Sequence, residues 1–335
     1  MPHLDCMKGV LPLPITKWNR GSNSELSDQI QSILDATSKL IKKDGVHHFI
    51  RELTNVLRLL KSQAGPIAWN DTVIPMVRAH PVTQWVQECP LTLHSYSRPR
   101  GYPGDAGLLD IIYRHADAEP LVSRSSAFGK AVFEFTLNVA ACEAVRQRRR
   151  TIAQKIDEIS SNRGCCEILA VACGHLREAE MSTALKERRI ARFVATDQDV
   201  ESLRVVRSYS ASISEQIQIK HLTVRDLLRN KHSLGTFDFI YAAGLYDYLD
   251  ERTASRLTRR LFDLLNQNGR LLIPNFLESI WELPYMEACM DWHLISRSER
   301  QIRAFADEID DSSIESIKYF GDELNCIGYL ELERA

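Results

Sequence analysis

The chain has 335 residues, of which 44% are hydrophobic and 26% charged, and its formal net charge is −2. This composition is typical of a globular chain with a buried core, and the length permits one large domain or two ordinary ones. The near-neutral charge gives no reason to expect nucleic acid as a partner, and no apolar run is long enough to span a bilayer. We expect no stable membrane insertion.

The eight cysteines form no C-x-x-C motif, and no paired Cys/His spacing typical of a metal site appears. Scattered cysteines are typical of reduced thiols in a cytoplasm, and the opening residues M-P-H-L-D-C do not resemble a signal peptide. The sequence therefore predicts a cytoplasmic protein that holds no metal, and it leaves the oligomeric state open.

The first half of the chain has helical periodicity. Residues 1–22 carry Pro, Gly and Asn without a period, which predicts a loose N-terminal arm. Apolar residues then recur at helical spacing over 26–41 and 49–60, and the two helices are expected to end at Gly45 and Gly65.

Further helices are expected up to residue 160. Residues 70–89 form a candidate that Pro75 and Pro81 would break, and 128–159 reads as one long helix. No strand pattern occurs in this half, so a helical domain is predicted over 23–160.

A turn-rich loop, residues 97–113, reads S-R-P-R-G-Y-P-G-D-A-G-L-L-D-I-I-Y. Its closely spaced prolines and glycines predict a rigid turn. Asp105 can cap the helix that follows. The loop fits a structural connection, and it also fits a substrate loop, because Arg98, Arg100 and Tyr102 bring polar groups to the same turn.

The long helix carries the run Arg146, Arg148, Arg149 and Arg150. Such a run is usually a solvated face, although one arginine turned inward could hold a carboxylate.

From residue 165 the pattern changes to alternating strands and helices. An apolar run over 168–172 ends at Gly174, a helical stretch follows, and a second apolar run over 191–196 ends at Asp197. This predicts a β-α-β unit that offers a helix N-terminus to a polar ligand and a carboxylate to a ribose diol.

Two kinds of ligand use such a unit, dinucleotides and S-adenosylmethionine. A dinucleotide site needs G-x-G-x-x-G, whereas here Gly174 is flanked by Ala172 and Leu176, which argues against a pyrophosphate. Ala170 stands where methyltransferase loops usually carry an acid.

The later strands complete a sheet. A helix is expected through Leu257 and Leu265, up to Asn268-Gly269. Strands separated by helices predict a doubly wound α/β sheet that binds ligands at the strands' carboxyl ends. The remaining predicted strands are 216–223, 239–243, 270–276, 314–320 and 326–333.

Residues 237–250, F-D-F-I-Y-A-A-G-L-Y-D-Y-L-D, and the later L-L-N-Q-N-G-R-L-L-I-P-N-F resemble strands four and five of a class I S-adenosylmethionine-dependent methyltransferase. The segments G-L-Y-D-Y-L, R-G-Y-P-G-D and D-W-H-L-I-S-R resemble a narrower bacterial family that makes the methyl ester of 3-hydroxypalmitic acid, an extracellular signal. The resemblance implies a Rossmann-like class I methyltransferase sheet over 161–335, with the helical N-terminal domain on its substrate side.

The resemblance also implies a set of cofactor contacts. The loop after the first strand would face the methionine part, Asp197 would hold the ribose hydroxyls, Asp226 would lie at the adenine, and 243–245 would lie beside the sulfonium. Because Ala170 replaces the usual acid, Glu178 is expected to supply the carboxylate for the amine. The full set is Ala172, Cys173, Gly174, Glu178, Asp197, Asp226, Leu227, Ala243, Gly244 and Leu245.

Candidates for the acceptor pocket come from the turn-rich loop and from segments after the fourth and fifth strands. Core packing or a structural ion pair stays open for each of them. The expected catalytic residues are Tyr246, His293 and Arg297, and the expected substrate contacts are Tyr102, Asp247, Tyr248 and Trp292.

Methyl transfer is an in-line displacement, so the protein mainly aligns donor and acceptor. The favoured function is O-methylation of a small-molecule carboxylate, such as a 3-hydroxy fatty acid, which needs no general base. Two alternatives stay open: O- or N-methylation of a specialised metabolite, for which a base can be needed, and a cofactor-binding scaffold without catalysis.

Overall fold

The computed structural model describes residues 23–209, 211–230 and 233–335. The predicted N-terminal arm lies outside the described residues. The described chain forms two units. The first holds the residues up to Val139 together with Trp281–His293, and the second holds Ala140–Ile280 and Leu294–Ala335. The predicted limits of 23–160 and 161–335 stay predictions.

The first unit is helical, and none of its described residues lies in a strand. No helix in the described part of the chain combines the length and the apolar character needed to cross a bilayer. In chain order, and counting both units, the α-helices of the described residues are α1 (Asn23–Asp44), α2 (Val46–Ala68), α3 (Ile74–Ala79), α4 (Pro81–Val86), α5 (Pro90–Ser97), α6 (Ala106–Tyr113), α7 (Glu119–Ser123), α8 (Ala127–Leu137), α9 (Ala140–Arg163), α10 (Thr183–Lys186), α11 (Val200–Arg207), α12 (Ala211–Ser214), α13 (Val224–Leu228), α14 (Glu251–Phe262), α15 (Leu283–Cys289) and α16 (Glu299–Arg303).

The second unit contains a seven-stranded sheet in the order β3-β2-β1-β4-β5-β7-β6. Neighbouring strands run parallel from β3 to β5, whereas β7 is antiparallel to both β5 and β6. The order is that of a doubly wound sheet with an antiparallel strand inserted near one edge. The strands are β1 (Cys166–Val171), β2 (Ile190–Asp197), β3 (Ile217–His221), β4 (Phe237–Tyr241), β5 (Leu265–Phe276), β6 (Ile314–Gly321) and β7 (Ile327–Arg334).

This topology confirms the predicted fold class, a Rossmann-like class I methyltransferase sheet with a helical N-terminal region. The central strands are buried along almost their whole length, as expected for parallel strands covered on both faces. The closing hairpin of β6 and β7 is confirmed as well.

The single long helix predicted over 128–159 is wrong, because α8 ends at Leu137 and α9 begins at Ala140. The side chain of Asn138 donates to the carbonyl of Glu134 at 2.7 Å, and its backbone N–H turns to Phe135 instead. A local side-chain bond thus replaces the helical one and ends the helix.

The helix expected to reach Leu265 is also shorter than predicted. It ends at Phe262, and Leu265 already belongs to β5. The backbone N–H of Phe237 donates to the carbonyl of Leu264 at 2.8 Å, so pairing with β4 takes this stretch into the sheet. Gly269 is needed here, because a Cβ would lie 2.8 Å from the carbonyl oxygen of Asn266.

Candidate functional site

The carboxyl ends of β1, β2 and β4 lie side by side. β1 is the central strand of the three, and Ala170 pairs with Ala195 of β2 and with Tyr241 of β4. The strand order reverses between β1 and β4, and doubly wound sheets bind their ligands at this point. We call this side of the second unit's sheet, where the carboxyl ends of β1, β2 and β4 lie, the sheet edge; the term does not refer to an outermost strand.

The segment after β1 is a series of turns. Ala172, Gly174 and Leu176 adopt φ values of 50°, 55° and 52°, and the next helix begins only at Thr183. The helical stretch expected after the turn is shorter than predicted, because the residues up to 182 lie in turns and only Thr183–Lys186 is helical. Residues at positive φ cannot belong to a right-handed helix, so no helix begins directly after Gly174. For Ala172 and Leu176 this conformation costs about 1–2 kcal/mol each. Such strained backbone is common where a loop contacts a ligand.

Asp197 ends β2 and braces this loop. One carboxylate oxygen accepts the N–H of Gly174 at 2.7 Å, and the other accepts the N–H of Asp199 at 2.8 Å. Burial raises the pKa of Asp197, and the two N–H groups oppose that shift. A carboxylate has about four acceptor positions, so two remain for the hydroxyls of a ribose.

Glu178 is buried and accepts the hydroxyl of Tyr241, the last residue of β4, at 2.7 Å. Burial raises the pKa of Glu178 and also raises the pKa of Tyr241, so the phenol keeps its proton and donates it. This contact links Glu178 to the end of β4, at the residue that pairs with Ala170, and the contact of Glu178 with the cofactor's amine stays a prediction. Cys173 is buried in the same loop, and burial raises the pKa of its thiol well above the usual range.

Ala243, Gly244 and Leu245 follow β4 and are each partly exposed. They lead into a short 3-10 helix, Tyr246–Tyr248. A Cβ added to Gly244 would lie 3.5 Å from Nη2 of Arg148, a residue of α9. Arg148 is missing from the expected site residues. Its sequence signal was the arginine run, of which one member could turn inward.

Asp226 and Leu227 have local roles in α13. The carboxylate of Asp226 accepts the N–H of Thr223 at 3.0 Å and its hydroxyl at 2.6 Å, which forms a capping box. Leu227 packs in the hydrophobic core of the second unit. Their contact with an adenine ring stays a prediction.

Tyr246 and Arg297 have structural partners. The hydroxyl of Tyr246 lies 3.0 Å from that of Thr258, and both are buried. Arg297 is 1% exposed and donates to the carbonyl of Tyr246 at 2.9 Å and to Oδ1 of Asn275 at 2.7 Å. These contacts give both residues a structural role inside the core, and their catalytic roles stay predictions.

Asp247 follows Tyr246 in the chain and is 2% exposed. Its Oδ1 accepts the N–H of Phe276 at 2.7 Å. Burial raises the pKa of Asp247 to about 6, although the positive charge of Arg148 partly opposes the shift. The adjacent Tyr248 is 40% exposed.

The buried carboxyl of Asp247 should make stability depend on pH. Folding raises its pKa from 3.8 to about 6, so the folded state binds this proton more tightly, and stability falls as pH rises from about 4 to about 6. Asp247→Asn keeps an acceptor for Phe276 and removes the titration. The variant's unfolding free energy relative to wild type should therefore rise by about 3 kcal/mol across this interval. Urea unfolding of both proteins at several pH values measures this difference. If the unfolding free energies of wild type and variant changed equally with pH, the raised pKa of Asp247 would be contradicted.

The other acceptor candidates lie in the first unit. His293 is half exposed, with Nε2 3.3 Å from Oδ1 of Asp291. Asp291 also pairs with Arg78 and Arg98, so its carboxylate is the centre of a charged cluster. Trp292 is buried and Tyr102 is partly buried. These placements leave their proposed roles untested.

The predicted cap at Asp105 is confirmed, since its Oδ1 accepts the N–H of Leu108 at 2.8 Å. Nε2 of His94 lies 2.8 Å from the same oxygen. Both contacts anchor the end of the turn-rich loop within the first unit.

Comparison with solved structures shows the fold. The chain is similar to a possible exported protein from Bordetella parapertussis, with a TM-score of 0.52 and 15% identity over 68% of this chain and 79% of that one. Two methyltransferases are more distant: NodS from Bradyrhizobium japonicum with S-adenosyl-L-homocysteine (TM-score 0.40, 14% identity, 57% and 87% covered) and ChlM from Synechocystis with the same ligand (0.40, 12%, 58% and 87%). No protein-family model and no curated protein matches the chain. At 15% identity the first likeness shows the fold alone.

Proposed function

We propose that this chain is an S-adenosylmethionine-dependent methyltransferase that acts on a small molecule. The observation that carries the proposal is the loop geometry at the sheet edge. The carboxylate of Asp197 holds the turn at Gly174, and the partly exposed backbone at Gly244 lies beyond the neighbouring strand. Acids at the ribose and the amine suit this cofactor, whereas a single glycine does not suit a pyrophosphate. The resemblance of the fourth and fifth strands supports the same cofactor.

The acceptor that we favour is a carboxylate, such as that of a 3-hydroxy fatty acid, and the product is its methyl ester. The three sequence segments that resemble the narrower bacterial family support this choice. Asp247, a carboxylate of the second unit that could act as a base, is buried and already accepts the N–H of Phe276. An acceptor that is already anionic near neutral pH needs no base.

One observation favours a hydroxyl or amine acceptor instead. The pKa of Asp247 is raised to about 6, which lies close to the value that suits a general base near neutral pH. A methyltransferase acting on a specialised metabolite is therefore the second candidate.

The experiment that decides between them is transfer of a radiolabelled methyl group from S-adenosylmethionine to a panel of 3-hydroxy fatty acids, phenols and amines. Label that mild base releases as methanol identifies a methyl ester. Base-stable label on phenols or amines would overturn the carboxylate assignment. Cofactor binding without transfer to any acceptor would favour the scaffold.

The pH dependence of kcat/KM provides a second test. With a carboxylate acceptor we expect no rise between pH 6 and 8 that a base would explain, and His293→Gln should leave the profile unchanged in shape. If His293 is a base, the rate should rise with pH in wild type, and His293→Gln should lose that rise. If Asp247 is the base, the rise should lie near pH 6 and disappear in Asp247→Asn.

A further inference from the structure

Arg148 is a buried arginine in the middle of α9. Only 3% of the residue is exposed. Within residues 23–209, 211–230 and 233–335, no carboxylate lies within ion-pair distance of it, and no hydrogen bond of its guanidinium is present. Its guanidinium lies beside Gly244 and the ring of Phe276, whose centroid is 5.9 Å from Cζ.

The neighbouring arginines of the run differ in this respect. Nε of Arg146 lies 2.7 Å from Glu143, and Nη2 of Arg150 lies 2.5 Å from the same carboxylate. Arg148 instead belongs to the stripe of α9 that is buried, four residues after Ala144 and four before Ile152. A position with this helical phase normally carries an apolar side chain.

Two buried carboxylates interact electrostatically with Arg148, but each already has another hydrogen-bond partner. Glu178 accepts the hydroxyl of Tyr241, and Asp247 accepts the N–H of Phe276. Arg148 therefore keeps the donors of its planar guanidinium for another group. Because Gly244 has no side chain, that group can approach from the carboxyl end of β4. A planar carboxylate matches such a fork with two parallel hydrogen bonds.

We propose that Arg148 binds a carboxylate of a bound ligand at the sheet edge, beside Gly244. The proposal rests on the function proposed above and names a residue that positions one reactant. Two parts of that reaction carry a carboxylate, the acid acceptor and the amino-acid end of the cofactor. The chemistry is the same for both, and the experiment separates them.

The test compares Arg148→Met and Arg148→Lys with wild type and with the control Arg150→Gln, which removes a charge from the same helix. Calorimetry measures affinity for S-adenosylhomocysteine and for 5′-methylthioadenosine, a nucleoside that lacks the amino-acid end. Methyl transfer to a 3-hydroxy fatty acid is measured at saturating cofactor. Near-wild-type affinity for 5′-methylthioadenosine shows that a variant is folded. Arg148→Lys keeps the charge if Arg148→Met does not fold.

If the cofactor supplies the carboxylate, the Met variant should lose at least about tenfold in affinity for S-adenosylhomocysteine and little for 5′-methylthioadenosine. If the acceptor supplies it, both nucleosides should bind normally, while kcat/KM for the acid falls by at least about tenfold. Lysine should restore part of either loss, because it keeps the charge without the fork.

Affinity and kcat/KM within about threefold of the Arg150→Gln control would overturn the proposal and assign Arg148 to structural charge balance. Failure of the wild type to bind S-adenosylhomocysteine would overturn the proposed function, and this proposal with it. Failure of the variants to differ while the wild type binds and methylates would overturn this proposal alone.

Discussion

Asp197→Ala should weaken binding of S-adenosylmethionine by at least about tenfold. In the proposed complex the carboxylate accepts both ribose hydroxyls, and a charge-assisted hydrogen bond contributes roughly 1.5–3 kcal/mol. The same substitution removes the acceptor for the N–H groups of Gly174 and Asp199. The loop after β1 would therefore also lose its brace, and the free energy of unfolding should fall by about 1–3 kcal/mol.

Two further variants separate the brace from the ribose contact. Asp197→Asn keeps one acceptor oxygen but removes the charge, so stability should recover more than affinity. Asp199→Ser keeps an N-cap for α11, where Asp199 accepts the N–H of Glu201 at 2.9 Å, and removes a neighbouring charge. Calorimetry with S-adenosylhomocysteine and urea unfolding measure the two effects. Wild-type affinity in Asp197→Ala would exclude the ribose contact and direct attention to Asp199.

Arg297→Ala should lower the free energy of unfolding by about 3–5 kcal/mol, because several buried oxygens lose a charged donor and each such hydrogen bond contributes roughly 1.5–3 kcal/mol. The guanidinium joins the backbone after β4, at Tyr246 and Leu249, to the side chain of Asn275 in β5. It also lies over the ring of Phe305, with Cζ 5.0 Å from the centroid. Removing it leaves several buried oxygens without a donor. Arg297→Lys should be harmful too, because an ammonium cannot reach acceptors on both sides.

The matched control is Arg300→Ala, which removes an exposed arginine from α16 and should change stability by no more than about 0.5 kcal/mol. Urea unfolding compares the two variants, and an activity assay below the unfolding transition completes the comparison. A stable Arg297→Ala protein that has lost only turnover with acid acceptors would restore Arg297 as the acceptor-binding residue that the sequence indicated.

Patterns within a few residues were sufficient to predict most of the sheet. The buried runs at 168–172 and 191–196, each ended by a polar or glycine residue, correspond to β1 and β2 within one or two residues. Parallel strands covered on both faces are continuously apolar, so their positions can be predicted without knowing their neighbours. The acid at the end of the second strand could be predicted for the same reason.

The helix predicted after Gly174 shows where local patterns fail. Its residues have helical spacing, but the N–H of Cys173 donates to Thr196 and that of Gly174 to Asp197, both in the neighbouring strand. These bonds hold the backbone in turns. A contact across more than twenty residues therefore overrides the local preference, and no periodicity reveals it.

The sequence by itself determined the sheet, the residue types at its edge and an arginine run with a possible inward member. Only the tertiary structure decided which polar groups are already bonded. Arg297 and Tyr246 looked available in the sequence, yet their partners Asn275 and Thr258 occupy them in the core. Arg148 belongs to a run that is usually solvated, yet it is buried, and it has no hydrogen-bond or ion-pair partner among the residues that the structure describes. A side chain's hydrogen bonds depend on atoms brought together by folding, and so its chemical availability is a property of the fold.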